Sequence, residues 1–72
     1  MTERSAETIL AEALGLPRSD ITAGLNIETC ASWDSIAHFR VIAGIEEAIG
    51  RSLNPEEIFQ ATDYEQVRNL LV

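Results

Sequence analysis

The stretch Ser35–Ile49, headed by Asp34-Ser35-Ile36 and closed by Gly50, constrains the fold of this chain more than any other segment. Its apolar residues recur at helical spacing, which predicts a long helix starting at Asp34 or Ser35 and ending near Gly50. Projected at about 100° per residue, Val41, Ile42, Ile45 and Ile49 fall on one side and form the expected core face. Ile36, Phe39 and Ala43 fall on a different side, within an arc of about 60°. Arg40, Glu46 and Glu47 flank that second arc, and Ser35 lies near its edge. A small helical protein has no need of two buried faces on one helix. The second face is therefore expected either to be covered by chain from elsewhere or to serve as a docking patch beside Ser35.

The remaining segments are also helical in pattern. A first helix is expected from Thr2 or Ser5 to Leu14, with Ile9, Leu10, Ala13 and Leu14 on one face. Gly15 is a natural stop, and Pro17 prevents continuation. A long connection, residues 16–34, follows. It holds the turn formers Pro17, Asp20, Gly24 and Asn26. Ile21, Leu25 and Ile27 recur along it, so it is expected to fold back over the core. Asn54 and Pro55, followed by Glu56 and Glu57, open a short third helix from Pro55 to Gln60. Thr62 followed three residues later by Glu65 has the form of a capping box. It opens a fourth helix from Asp63 to Leu71, with Val67, Leu70 and Leu71 turned inward. No strand pattern, repeat or low-complexity segment is present. The expected architecture is all-α: a small four-helix bundle of three longer helices and one short one, with a long loop between the first two. At 72 residues it forms one domain, residues 1–72.

Charge and composition exclude several classes of function. A net charge of -7 argues against nucleic acid, whose binding needs a basic footprint, and against attraction to an anionic membrane. No apolar run is long enough to span a bilayer, and no signal-peptide core is visible near the start. The single cysteine, Cys30, cannot pair within the chain, so a reducing cytoplasm is the expected setting. Cys30 and His38 lack the paired spacing of a zinc site, and residues 20–28 lack the acid and glycine spacing of a calcium loop. Cofactor metals are not expected.

Ser35 carries the chemistry. At a helix N-terminus, unpaired N–H groups and the positive end of the helix dipole suit a phosphate ester. The plain alternative for Ser35 or Asp34 is helix capping. His38 lies one turn from Ser35, which invites a hydrolase reading. However, there is no Gly-x-Ser-x-Gly elbow, and so short a chain has little room for an oxyanion hole and a substrate pocket. His38 is expected to pack beside the core stripe, and Trp33 to anchor the long connection. A helical interaction module with no covalent cargo would use the same apolar patch and acidic rim.

These residues resemble the acyl and peptidyl carrier proteins, whose signature is Asp-Ser-Leu or Asp-Ser-Ile at the start of the second helix of a four-helix bundle. Here it reads Trp33-Asp34-Ser35-Ile36. The resemblance extends over nearly the whole chain. It takes in Ile9-Leu10-Ala11-Glu12-Ala13-Leu14-Gly15-Leu16, Ile45-Glu46-Glu47-Ala48-Ile49-Gly50, Leu53-Asn54-Pro55-Glu56-Glu57-Ile58 and Thr62-Asp63-Tyr64-Glu65-Gln66-Val67. The resemblance implies a non-catalytic carrier with 4′-phosphopantetheine attached to Ser35 by a separate phosphopantetheinyl transferase using coenzyme A. The thiol of that arm would carry an acyl or aminoacyl thioester between a loading enzyme and downstream enzymes. Asp34 would be read by the transferase. Ile36, Phe39, Arg40, Ala43, Glu46 and Glu47 would meet partners, and the carrier would act as a monomer.

The chain also departs from the family. Ser32 stands where a glycine is common, three residues before the serine. Trp33 replaces a small or aliphatic residue. Ala37 and Arg40 occupy positions that are often acidic in fatty acid carriers, so the docking face is expected to be less negative. These differences favour a stand-alone carrier in a dedicated pathway, such as secondary metabolism or cell-surface polysaccharide modification.

Overall fold

The computed structural model describes residues 5–71. Four α-helices follow one another: α1 (Ala6–Leu14), α2 (Ser35–Ile49), α3 (Pro55–Gln60) and α4 (Tyr64–Leu70), with a 3-10 turn at Arg18–Asp20. Among the described residues there is no strand, only a single antiparallel bridge between Asn26 and Asp63. The alternative start of the first helix at Thr2 lies outside the described residues.

Local chemistry explains each helix end. Ser5 caps α1, its hydroxyl accepting from the Thr8 amide at 3.2 Å. Gly15 closes that helix at φ 68, a left-handed conformation that a glycine adopts without a Cβ penalty. The next amide, Leu16, turns back to the Ala11 carbonyl at 3.1 Å. Asp34 caps α2, and Gly50 ends it at φ 73. Asn54 and Glu57 form a reciprocal capping box at the start of α3, with Pro55 as the first helical residue.

The fourth helix differs from expectation. Asp63, not Thr62, is its cap, with Oδ1 accepting from the Gln66 amide at 2.8 Å. The expected box between Thr62 and Glu65 does not form, because Thr62 is held by a distant segment: its carbonyl accepts from the Ile27 amide at 2.8 Å. The helix therefore starts one residue late and ends at Leu70, one residue early. At seven residues it barely exceeds the six of α3, so two helices are longer and two are short.

α1 packs against α2 and α4. Ile9, Leu10, Val41, Ile45 and Val67 are sealed from solvent at their junction. Burying each such side chain contributes about 1.5–3 kcal/mol. The expected core stripe of α2 is buried at Val41, Ile42 and Ile45 and half-buried at Ile49, while Leu70 and Leu71 are also half-buried. Residues 16–34 pack down by two means. Ile21 and Trp33 are buried. The Tyr64 amide donates to the Leu25 carbonyl at 2.9 Å, beside the Ile27–Thr62 bond. Asn26 shapes the turn between them, its Oδ1 accepting from the amides of Glu28 and Thr29.

Candidate functional site

The first turn of α2 builds the site. Asp34 has extended backbone geometry, and its Oδ1 accepts from the Ala37 amide at 2.8 Å. Its carbonyl accepts the first intrahelical bond, from the His38 amide, also at 2.8 Å. That places Ser35 at the first helical position rather than at the cap, with its side chain exposed. Among the described residues, no protein acceptor engages the amides of Ser35 or Ile36, and no protein group engages the Ser35 hydroxyl. No acidic side chain follows in the first turn to offset the helix dipole. The result is an accessible hydroxyl beside two free N–H donors.

A mainly apolar groove of about 580 Å3 opens from Ser35 and runs between α2 and α3. Ile27, Trp33, His38, Phe39, Ile42 and Ile58 line it. Its size is that of small-molecule sites. His38 bridges the two helices: the Trp33 indole donates to Nδ1 at 3.1 Å, and Nε2 lies 3.1 Å from the Ile58 carbonyl. Both ring nitrogens are thus engaged away from Ser35.

The stripe of α2 expected to meet partners is exposed at most of its positions. Ile36 is 66% and Phe39 79% exposed, so the long connection does not cover them. Ala43, Arg40 and Glu47 are exposed as well. Two positions differ. Ala37 is buried in the core rather than on the rim. It lies about 100° round the helix from Ile36 but only about 40° from Val41. Glu46 is half-buried, and its Oε2 accepts from the Leu53 amide at 2.8 Å. Its carboxylate ties the turn after α2 to the end of that helix.

Sequence reasoning missed three contributors. Phe59, 83% exposed on α3, adds a third large apolar residue to the surface. The adjacent apolar pair Ile58-Phe59 in a helix of under two turns was the available signal. Ile27 and Ile58 complete the groove, and nothing local in the sequence marks them as its walls. Trp33 is buried as an anchor of the connection, as expected, and also forms part of the groove.

Among the described residues, no group of three or more His, Cys, Asp or Glu side chains is placed to hold a metal ion. No described helix is long and apolar enough to cross a membrane. Neither a protein-family model nor a curated protein sequence matches the chain.

Proposed function

We propose that this chain is an acyl or aminoacyl carrier protein that bears 4′-phosphopantetheine on Ser35. The observation that carries this reading is the exposed Ser35 hydroxyl at the first position of α2, with the unengaged amides of Ser35 and Ile36 beside it and an apolar groove leading away. A phosphodiester there sits at the positive end of a fifteen-residue helix. In the modification, the Ser35 oxygen forms the new bond to the phosphorus bearing the pantetheine arm. The nucleotide half of coenzyme A leaves, and the serine proton goes to solvent. The groove would shelter the apolar part of a cargo attached to the thiol of the arm.

The four helices fit the small bundle of the carrier family, with residues 16–34 as its long loop. A phosphopantetheinyl transferase, a loading enzyme and downstream enzymes are the implied partners, meeting the Ile36, Phe39 and Ala43 stripe in a cytoplasmic biosynthetic pathway. The engagement of His38 by Trp33 and Ile58 favours a carrier over a hydrolase, since a base must be free to reach the serine.

The test is intact mass after incubation with coenzyme A and a broad-specificity transferase. Wild type should gain one phosphopantetheine, and Ser35→Ala should gain none while remaining folded. Absence of the group, or its appearance on another residue, refutes the reading. The second reading, a helical interaction module without cargo, rests on Phe59, whose exposure the attachment chemistry does not require. It would be favoured by an unmodified protein that still binds a partner through Phe39 and Phe59.

A further inference from the structure

We propose that His38 is the positioning residue that holds α3 closed against α2 and so sets how readily the groove beside Ser35 admits an apolar chain. The inference rests on the carrier reading for the identity of the chain. The latch itself follows from the hydrogen-bonding geometry alone.

An indole N–H only donates, so the Trp33 bond requires a lone pair on Nδ1 of His38. The ring hydrogen of the neutral imidazole is then on Nε2, which donates to the Ile58 carbonyl. That carbonyl belongs to the last turn of α3, where helix acceptors run out of intrahelical donors. His38 therefore caps α3 from a different helix, while Trp33 fixes the ring in the orientation that lets it do so.

The cap matters because α3 itself buries little between its buried flanking residues Leu53 and Ala61. It has six residues and none is fully buried. Ile58 is half-buried, and Phe59 points into solvent. The capping box and the Arg51–Glu57 pair lie at its N-terminal end. The His38 bond acts at the other end, on the residue that forms a groove wall. An element with so little buried apolar surface opens more easily than the core, so one bond shifts its opening equilibrium measurably.

Two substitutions separate the nitrogens of the ring. His38→Gln can present an amide N–H where Nε2 stood and keep the bond to Ile58. His38→Asn can present an oxygen to Trp33 but does not reach Ile58. Amide hydrogen exchange on the unmodified protein is the first readout, at Ile58 and Ala61, whose amides bond to the Asn54 and Glu57 carbonyls within α3. Loss of a typical hydrogen bond should raise their exchange about three- to tenfold in His38→Asn. His38→Gln should stay near wild type, and Val67 in α4 should be unchanged in both.

The second readout is the emission of Trp33, the single tryptophan, compared between octanoyl- and acetyl-phosphopantetheine forms of each variant. The octanoyl-induced change should be larger in His38→Asn than in wild type or His38→Gln. Unchanged Ile58 and Ala61 exchange in His38→Asn would overturn the latch, as would an equal rise in His38→Gln. An equal octanoyl effect in all three proteins would overturn the gating role. If Ser35 accepts no phosphopantetheine, the carrier reading falls, and the exchange comparison still decides whether His38 holds α3.

Discussion

Gly44→Ala should destabilise the protein, although alanine is the better helix former. Gly44 lies inside α2, where replacing glycine with alanine gains about 1 kcal/mol of helix propensity. A Cβ built there would stand 2.8 Å from Cγ2 of Ile9 on α1, with Cγ1 and Cβ of Ile9 at 3.6 and 3.7 Å. Ile9 cannot readily swing aside. It is sealed in the core, and its branched Cβ restricts χ1. The two helices must move apart instead, and overpacking of this kind costs about 1–3 kcal/mol. The clash should outweigh the propensity, for a net loss of up to about 2 kcal/mol. A loss of 1 kcal/mol lowers Tm by about 4–8 °C in a protein of this size.

Urea unfolding followed by circular dichroism would measure the effect. The control is the same substitution in an Ile9→Leu background, which keeps the volume but moves the branch away from Cβ. There Gly44→Ala should turn neutral or stabilising. An increase in stability in the wild-type background would refute the argument that contact at Gly44 sets the α1–α2 spacing.

Asp34→Ala should lose the α2 cap at a cost of about 0.5–2 kcal/mol, whereas Asp34→Asn should keep stability within a few tenths. If Asn also slows phosphopantetheine transfer at unchanged Tm, the charge of Asp34 is what the transferase reads. The Tyr64 hydroxyl donates to Glu7 at 2.5 Å, and that bond, together with burial, raises the tyrosine pKa above its ordinary 10.0. A raised pKa contributes stability that is fully present below pH 10 and lost as pH climbs through the folded value. Absorbance titration of this single tyrosine should move toward the ordinary value in Glu7→Gln. Glu57 is held down to about 2 by its hydrogen bond from Arg51 and the Asn54 amide. The stability it adds is complete above about pH 4.5 and fades toward pH 2, and added salt should shrink the effect because the pair is exposed. Arg40→Glu should improve loading by fatty acid synthase enzymes at low salt, with the gain fading as salt is added; an equal rate in both proteins would show that Arg40 does not set partner choice.

The helix ends were legible because their chemistry is local. Gly15, Pro17, Gly50 and Asn54-Pro55 act through their own backbone preferences, and the structure uses each where the sequence implies. The two faces of α2 were legible because a 100° projection needs no knowledge of neighbours. What could not be read depends on partners far away in sequence. The cap of α4 moved from Thr62 to Asp63 because Ile27 holds the Thr62 carbonyl. Glu46 turned inward because the Leu53 amide, beyond the Gly50 turn, needed an acceptor. His38 reached a carbonyl twenty residues on, which periodicity does not reveal. Ala37 is a different case. The projection already put it nearer Val41 than Ile36, and its burial follows from that angle.

The groove is built with unequal walls, and this bears on how the proposed carrier would work. The wall that bears Ser35 is α2, seated on α1 through Val41 and Ile45 and the close approach at Gly44. Core packing of that sort resists deformation, so Ser35, the proposed attachment point, stays in register with the exposed Ile36 and Phe39 stripe. The opposite wall is α3, which has no fully buried residue of its own and is held at its ends by polar ties and by the buried flanking residues Leu53 and Ala61. A hydrogen bond is worth about 0.5–1.5 kcal/mol, far less than the burial of several core side chains. Opening of the groove should therefore displace α3 and leave α2 fixed. On the carrier reading, a bound chain could enter or leave without altering the proposed docking surface, and one protein could present a hidden and an exposed cargo from the same face.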